Sequence, residues 1–531
     1  MPHIESTADS LARIKRQGES PRYWRLNLLE AIWKGKRYEV EGRPSFWERE
    51  VPLQERAPCI VYPIARSAGN RIVTLVFGER SFPKVLTDTG AQLSKENATL
   101  LGRLLTSIIK QARLSMRMRE ALEQGLMVGT VVPVVSLKRG KVCVDLIPAK
   151  WCRPKFDPAT GELAELDIRY RYQDPEGTHC WYRRTITATA DTTYLPVECT
   201  PDDREPLWAP DPAKTFALEM MPALWHRNQP DCGDSDVDGN ALHEGLEDEM
   251  EGLDFSLSQR HRNARYNGEP FIARMGVDGP STGANGRTAD PVPFPFGRPH
   301  GSKPAIKKAP GTLWDLPQGA DVKMVESSGA GATILNTDAA ELRRMILEVM
   351  QAVMADPETL GSGDLSARAL TILMGPMLAL CDNLRVEYGD LLIRILQKIL
   401  RLLLTTTATE NGVALDGLDE ARPLIAGLID RLDDVPLDLT WGEYFPPSST
   451  EVQAKVDTAR KAAGDRAVAS HRTAVRSVAG VLDVDDVDAE LAAIEADDAA
   501  GQGALRETFG ALGDRSPAAN AAAPPKVTDG A

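Results

Sequence analysis

The hydrophobic period of this chain switches near residue 128 from helical to strand-like, which restricts it to folds that join helices to sheet. Between 94 and 126, Leu100, Leu101, Leu104, Leu105, Ile108 and Ile109 recur three and four residues apart, the pattern of one buried helix face. Ser94 stands ahead of them as a cap. The stretches 129–135 and 141–147 are instead β-branched, and Lys138-Arg139-Gly140 between them predicts a hairpin. The segments 166–172 and 180–189 alternate and are rich in Tyr, Arg and Thr, so they extend a sheet; Asp157-Pro158 and Gly161 mark a turn.

The remaining chain reads in the same terms. Residues 1–57 are polar with scattered aromatics, among them Tyr23, Trp24, Trp33 and Trp47, and 58–76 is apolar with a helix at its end. Residues 195–239 are rich in Pro and Asp, with 220–226 as an island of strand character. A charged helix is expected over 241–266, with Glu244, Glu247, Asp248, Glu249 and Glu251 early and Arg260, Arg262 and Arg265 late, which suits the helix dipole. A second helix is expected over 338–354, where Leu342, Met345, Ile346, Val349, Met350 and Val353 form one stripe. Asp338 and Glu341 fit a capping box, and Asp356-Pro357 ends the helix. A third is expected over 366–404, kinked at Gly375-Pro376. Short strands are expected at 271–275, 322–326 and 438–441. Between the first two lies 276–311, the part richest in Gly and Pro and a long loop. An Ala-rich helical region covers 448–500 with a break near Gly480, and 516–531 has the composition of a disordered tail. No internal repeat is present.

Bulk properties exclude several classes of function. The formal net charge of −14 over 531 residues argues against a protein that wraps nucleic acid, which needs a basic footprint. It leaves open a protein that lets DNA slide past. The first sixteen residues have no apolar core, so no secretory signal is expected there. The most apolar stretch, 391–404, carries Arg394, Lys398 and Arg401, and reads as a buried or interface helix rather than a membrane span. The seven cysteines (Cys59, Cys143, Cys152, Cys180, Cys199, Cys232, Cys381) are scattered and read as reduced thiols.

Motifs for catalysis are incomplete. Gly279-Pro280-Ser281-Thr282-Gly283 matches the nucleophile-elbow string, but loop residues follow where a helix must stand to strain the turn and expose the hydroxyl. Asp234, Asp236, Asp238 and Gly239 resemble the first half of a calcium loop. The position that needs a bidentate glutamate is Gly245, however, with Glu244 one step early. The alternative there is an acidic helix entry capped by Asp238 or Asn240. His243-Glu244 lacks the second histidine of a zinc helix. No phosphate-binding P-loop string occurs, so the chain is not an ATP-driven motor. Arg260, His261, Arg262 and Arg265 form a basic cluster, either a solvated helix end or a contact for phosphate or an acidic partner.

The order of these elements resembles that of the portal proteins of tailed bacteriophages: wing, stem helix, clip, stem helix, tunnel loop, long helix, returning wing strand and crown. Several stretches carry the likeness. Residues 24–37 resemble the portal entry segment, and 121–135 (ALEQGLMVGTVVPVV) the helix that runs into the wing strands. Residues 146–157 (LIPAKWCRPKFD) resemble the turn after those strands. Gly233-Asp234-Ser235-Asp236 before an acidic helix resembles the entry to the first stem helix, and 311–325 (GTLWDLPQGADVKMV) the strand leaving the clip. Residues 338–355, 361–366 and then Ala367-Arg368-Ala369-Leu370 resemble the second stem helix, the tunnel loop and the start of the long helix, although Ser366-Ala367 replaces the family's Ser-Gly. Residues 441–450 and the Ala-rich helices, ending in VLDVDDVDAELAAIE, resemble the crown.

The resemblance implies an α+β portal fold assembled as a ring of about twelve copies. It divides the chain into an arm and α/β wing (1–236), first stem helix (237–265), clip (266–336), second stem helix (337–355), tunnel loop (356–366), long helix and returning strand (367–447), helical crown (448–512) and tail (513–531). It implies no catalysis and no cofactor. The implied partners are the large terminase subunit, head-completion or adaptor proteins, the major capsid protein and double-stranded DNA in transit, with no membrane. The ring is then assembled in the bacterial cytoplasm and sits at a capsid vertex of the virion. Asp356, Glu358, Ser362 and Asp364 are expected to line the DNA channel. Arg260, Arg262, Arg265, Lys307 and Lys308 are expected to make basic contacts at the clip and stem. The competing readings are another minor virion protein, or a hydrolase built on Ser281 or the acidic cluster.

Overall fold

The computed structural model describes residues 20–39, 59–78, 81–87, 93–199, 207–230, 237–268, 272–275, 313–316, 330–354, 367–405, 413–428, 437–445, 449–463, 470–479, 487 and 490–496. They mix helix and strand, an α+β class. The chain divides into two compact units, one of Met1–Thr359 and Met374–Tyr444, the other of Leu360–Leu373 and Phe445–Ala531.

In the first unit, helix α1 (Pro21–Trp33) starts where Ser20 accepts a bond from the Tyr23 amide at 3.2 Å and Pro21 supplies a ready-made first turn. It serves two cores: Leu28, Ile32 and Trp33 enter the larger, Leu26 and Leu29 the smaller. Helix α2 (Ile64–Phe77) crosses α1 so closely that a Cβ on Gly69 would stand 2.0 Å from the Trp33 ring. Strand β1 (Lys84–Leu86) comes next. The helical region expected over 94–126 holds two helices, α3 (Lys95–Gln111) and α4 (Leu114–Val128), with Arg113 in the left-handed region at φ 51°. Ile108 and Leu114 are both buried in the larger core. Six residues of unbroken helix would turn them about 120° apart, so the break keeps both inside. Ser94 caps α3, accepting from the Asn97 amide at 3.3 Å.

Gly129 ends α4 at φ 80° and the chain enters the expected hairpin, β2 (Thr130–Lys138) and β3 (Lys141–Ile147). Arg139 and Gly140 both have positive φ, the two-residue turn that matches strand twist. Strands β4 (Cys152–Phe156), β5 (Leu163–Gln173), β6 (His179–Thr187), β7 (Ala190–Tyr194), β8 (Val197–Glu198) and β9 (Pro210–Ala217) form an antiparallel sheet in the order β4-β5-β6-β7-β9, with β8 on β6. Trp151, Tyr170 and Tyr182 stack across one face at 4.4 and 4.8 Å. Strand β9 lies in the Pro/Asp-rich segment; its edge position tolerates the two prolines. The island at 220–226 yields only β10 (His226–Arg227), paired with β2, and a bridge from Ala223 to Val134.

The helix expected over 241–266 is α5 (Glu247–Gly268), which starts later because Gly245 holds φ 78° and turns the chain before it. Strand β11 (Ile272–Met275) pairs in parallel with β12 (Leu313–Leu316). Helix α6 (Ala330–Val349) begins eight residues ahead of the expected start. Asp338 is therefore no cap: it lies mid-helix and accepts a hydrogen bond from Ser256 Oγ, joining α6 to α5. The chain leaves α6 at Gln351, φ 52°, before Asp356-Pro357, which lies outside the described residues. Helix α7 (Ala367–Leu373) belongs to the second unit; after Met374 the chain enters α8 (Gly375–Leu403) of the first, the break expected at Gly375-Pro376. Helix α8 runs through the larger core with Leu384, Tyr388, Leu392, Ile395, Leu396 and Ile399 buried. Helix α9 (Leu418–Leu428) packs on α3, and β13 (Asp438–Thr440) pairs antiparallel with β1. In the second unit, α10 (Ser449–Ala462) packs against α11 (His471–Ala479).

The strand expected at 322–326, the loop 276–311, the tail 516–531 and Gly480 lie outside the described residues. Among the described residues no helix is long and apolar enough to cross a membrane. The six cysteines within them form no disulfide.

Candidate functional site

The side of α8 that faces away from the core carries Asp390, Arg394, Gln397, Lys398 and Arg401, the helical repeat of the apolar stripe carried round to the opposite face. These residues form one wall of a cleft of about 820 Å³ in the first unit. The other walls are the turn between β4 and β5 (Phe156, Thr160, Glu162, Leu163), the segment Met221 to Trp225, and Leu437. Arg394 pairs with Asp390 one turn earlier at 2.8 Å, both side chains more than half exposed. Trp225 is fixed on three sides. Its Nε1 donates to the Val237 carbonyl at 2.8 Å, the Arg22 guanidinium lies over its ring at 5.4 Å, and Phe156 meets it edge-on at 6.3 Å. Next to the cleft, half-buried His226 meets the Tyr388 ring edge-on, with ring centroids 4.8 Å apart. Burial, and behind it the charge of Arg394, lowers its pKa to about 4.

Behind Trp225 lies the junction of the two cores. Arg22 donates to both carboxylate oxygens of Asp238, at 2.6 and 2.7 Å, and also to the carbonyls of Cys152 (2.7 Å) and Ala149 (3.2 Å). Thr130 Oγ1 adds a third bond to Asp238 at 2.8 Å. Asp238 is thus committed to a guanidinium and a hydroxyl, and is no helix cap. Asn240 likewise spends its amide nitrogen on the Gln229 carbonyl at 3.0 Å. Asp234 and Asp236 lie outside the described residues. Among the described residues no group of three or more His, Cys, Asp or Glu is placed to hold a metal ion.

A second buried ionic knot ties the short 3-10 turn that follows α1 (Arg37–Glu39) to α5. Arg37 and Asp254, both fully buried, approach to 3.4 Å, and Asp254 also accepts from Tyr38 Oη (3.2 Å) and the Tyr62 amide (2.8 Å). Burial dominates and pushes the Asp254 carboxyl up to about 6, against the pull of Arg37. His243 is buried beside Trp33, its Nε2 3.1 Å from the Leu29 carbonyl, and burial lowers its pKa to about 4. Glu244 pairs with Arg25 and accepts from the Ala241 amide at 3.1 Å, a structural role.

Of the residues singled out in the sequence, Arg260 is exposed and donates to Asn336 at 3.4 Å, and Arg262 is half-buried. Arg265 belongs to α5. Asp356, Glu358, Ser362, Asp364, Ser281, Lys307 and Lys308 lie outside the described residues. The cationic wall of the cleft was present in the sequence as Arg394, Lys398 and Arg401, which sequence reasoning used only against a membrane span. Their spacing of four and three is the signal that places them on one face. No family model matches the chain, and no curated protein matches it.

Proposed function

We propose that this protein is the portal of a tailed bacteriophage, a closed ring of about twelve copies through which double-stranded DNA enters and leaves the capsid. On this reading the large terminase subunit, head-completion or adaptor proteins and the major capsid protein dock on the ring, which assembles in the host cytoplasm and ends in the virion. The protein catalyses nothing itself, and the packaging motor supplies the energy. The observation that carries the reading is the order of the helix pair and of the elements after it. Helix α5 leads to the small parallel pair β11–β12, α6 returns antiparallel along α5, and the 29-residue α8 precedes β13, which rejoins β1. This is the order of stem helix, clip, stem helix, long helix and returning wing strand. A net charge of −14 supports it as well, because a conduit must not hold its polyanionic cargo. Electron microscopy of the purified full-length protein tests the proposal. Rings with an axial hole are the expected result. A monomer by light scattering at micromolar concentration, across salt conditions, overturns it.

A further inference from the structure

Two short segments of the chain are fastened to α5 around one buried carboxylate. Asp254 is fully buried, and Glu251, one turn earlier on the same helix, is buried too. From the 3-10 turn come Arg37, also fully buried, and Tyr38, whose Oη donates to Asp254 at 3.2 Å. From residues 59–62 come Cys59, with Arg262 of α5 beyond it, and the Tyr62 amide, which donates to Asp254 at 2.8 Å. The Ile60 amide donates to Ser258, one turn further along α5, at 2.9 Å. On its α6 side α5 presents Ser256 to Asp338. His243 faces Arg37, but its Nε2 is held at the Leu29 carbonyl of α1. The ion pair at the centre of this knot is poorly made. Arg37 approaches Asp254 to only 3.4 Å, and among the described residues none of its three guanidinium nitrogens finds a hydrogen-bond acceptor. A buried pair offsets its desolvation only when the geometry is good and the remaining protons are satisfied. Neither holds here, so the ionised carboxylate is the costly form at this position.

We propose that this contact is a proton-controlled latch: a proton taken up by Asp254 closes residues 37–39 and 59–62 onto α5, and its loss lets them open. The neutral carboxyl keeps both of its neutral partners, because its carbonyl oxygen still accepts from the Tyr62 amide and its O–H can donate to Tyr38 Oη. Protonation therefore removes the charge and breaks neither bond. The ionised form needs water, and parting these two segments from α5 supplies it. Burial, outweighing the pull of Arg37 and joined by the charge of Glu251, raises Asp254 from 3.8 to about 6. A raised pKa means that the closed form is fully favoured below about 3.8 and loses ground as pH rises through about 6. Burial also raises the Tyr38 hydroxyl and the Cys59 thiol, so both stay protonated across that window. His243 titrates in the opposite sense, but its bond to Leu29 places it with α1 and outside the latch. The inference concerns one copy of the chain and does not rest on the ring.

Hydrogen–deuterium exchange of the full-length protein at pH 5 and pH 7, corrected for the intrinsic effect of pH on amide exchange, tests it. The amides of Ile60 and Tyr62 report on the latch, and those of the β2–β3 hairpin serve as the reference. Opening at 59–62 is expected to be about tenfold more frequent at pH 7 than at pH 5, the ratio that a pKa of about 6 closed and 3.8 open requires, with no such change in the hairpin. Asp254→Asn keeps an acceptor for Tyr62 and a donor for Tyr38 without the charge, so it should be protected equally at both pH values. Should that variant fail to fold, the comparison of 59–62 with the hairpin in the unmodified protein decides alone. Equal or greater protection of 59–62 at pH 7, the same change in the hairpin, or a tenfold pH effect that survives Asp254→Asn each overturns the proposal.

Discussion

Arg22 holds Asp238 from 216 residues away, Nε to Oδ2 at 2.6 Å and Nη2 to Oδ1 at 2.7 Å, and so ties the first helix to the segment that leads into α5. The Asp238 side chain is only 3% exposed, so the pair sits where losing one partner strands a charge. Arg22→Met should lower stability by about 3 kcal/mol, because the buried carboxylate keeps only Thr130. Arg22→Met/Asp238→Leu should lose less than the two single changes together. Urea unfolding followed by circular dichroism measures this, and strictly additive losses would show the two residues to be uncoupled.

Gly239 and Gly129 mark a backbone crossing with no room for a side chain. A Cβ on Gly239 would lie 2.3 Å from the Asn228 carbonyl oxygen and 2.5 Å from its amide nitrogen, backbone atoms that cannot rotate away. Gly239→Ala should therefore leave little soluble protein. Gly427→Ala, in helix α9 with nothing within 4 Å, should raise the unfolding midpoint by an amount matching roughly 0.5–1 kcal/mol. Expression yield and thermal melting check both, and equal behaviour of the two variants would refute the crossing as a constraint.

His226, half-buried, and His243, fully buried, are neutral, and desolvation lowers each pKa from 6.5 to about 4. As pH falls below about 6.5 the unfolded chain takes up protons at these positions before the folded one does. Their contribution is full above that pH and drains away towards pH 4. Asp254, raised from 3.8 to about 6, acts in the opposite sense: its burial costs stability as pH rises through that window. Glu387, whose carboxyl burial also raises, acts in the same sense as Asp254, and the two histidines are what make the protein more resistant to guanidinium at pH 7 than at pH 5. His226→Gln/His243→Gln should shrink that difference, and an unchanged difference would contradict the assignment.

If the protein is a portal, Glu358 and Asp364 are expected to line the DNA channel. At physiological salt, repulsion reaches only about 8 Å, so it acts where the channel is narrow and keeps DNA sliding. Glu358→Lys/Asp364→Lys should leave ring assembly intact and reduce the DNA packaged per particle. Normal packaging, or failure of the ring to form, would remove these residues from the channel.

Most elements with a clean period were legible in the sequence. The β2–β3 hairpin, the Ser94 cap, the strand at 438–440 and the break before Pro376 depend on local chemistry and stand where that chemistry puts them. The misplacements were tertiary in origin. Asp338 looks like a cap because Glu341 stands three residues on, but Ser256 on the neighbouring helix satisfies its carboxylate and the helix continues upstream. The 94–126 region breaks at Arg113, which no propensity marks, because the core needs Leu114 turned inward. Strand β9 was hidden by its prolines, which only an edge position allows. The charged face of α8 was visible as a spacing, but most of the residues that complete the cleft come from segments more than 160 residues earlier, and no local pattern joins them.

The pairing of Lys84–Leu86 with Asp438–Thr440 sets a schedule for synthesis. A ribosome must add roughly 350 residues after β1 emerges before its partner exists, some tens of seconds at about 5–20 residues per second. Over that interval β1 has an open edge. The core around Phe77 also waits for Trp441, which comes to lie 5.5 Å from the Phe77 ring, and for Leu439, which closes over Gly389 at 3.1 Å from where a Cβ would be. The first unit cannot close until Trp441 has been added and has left the ribosome. A message truncated just short of codon 438 would yield a chain with nearly every helix of that unit and no means of sealing it, a natural substrate for chaperones and proteases.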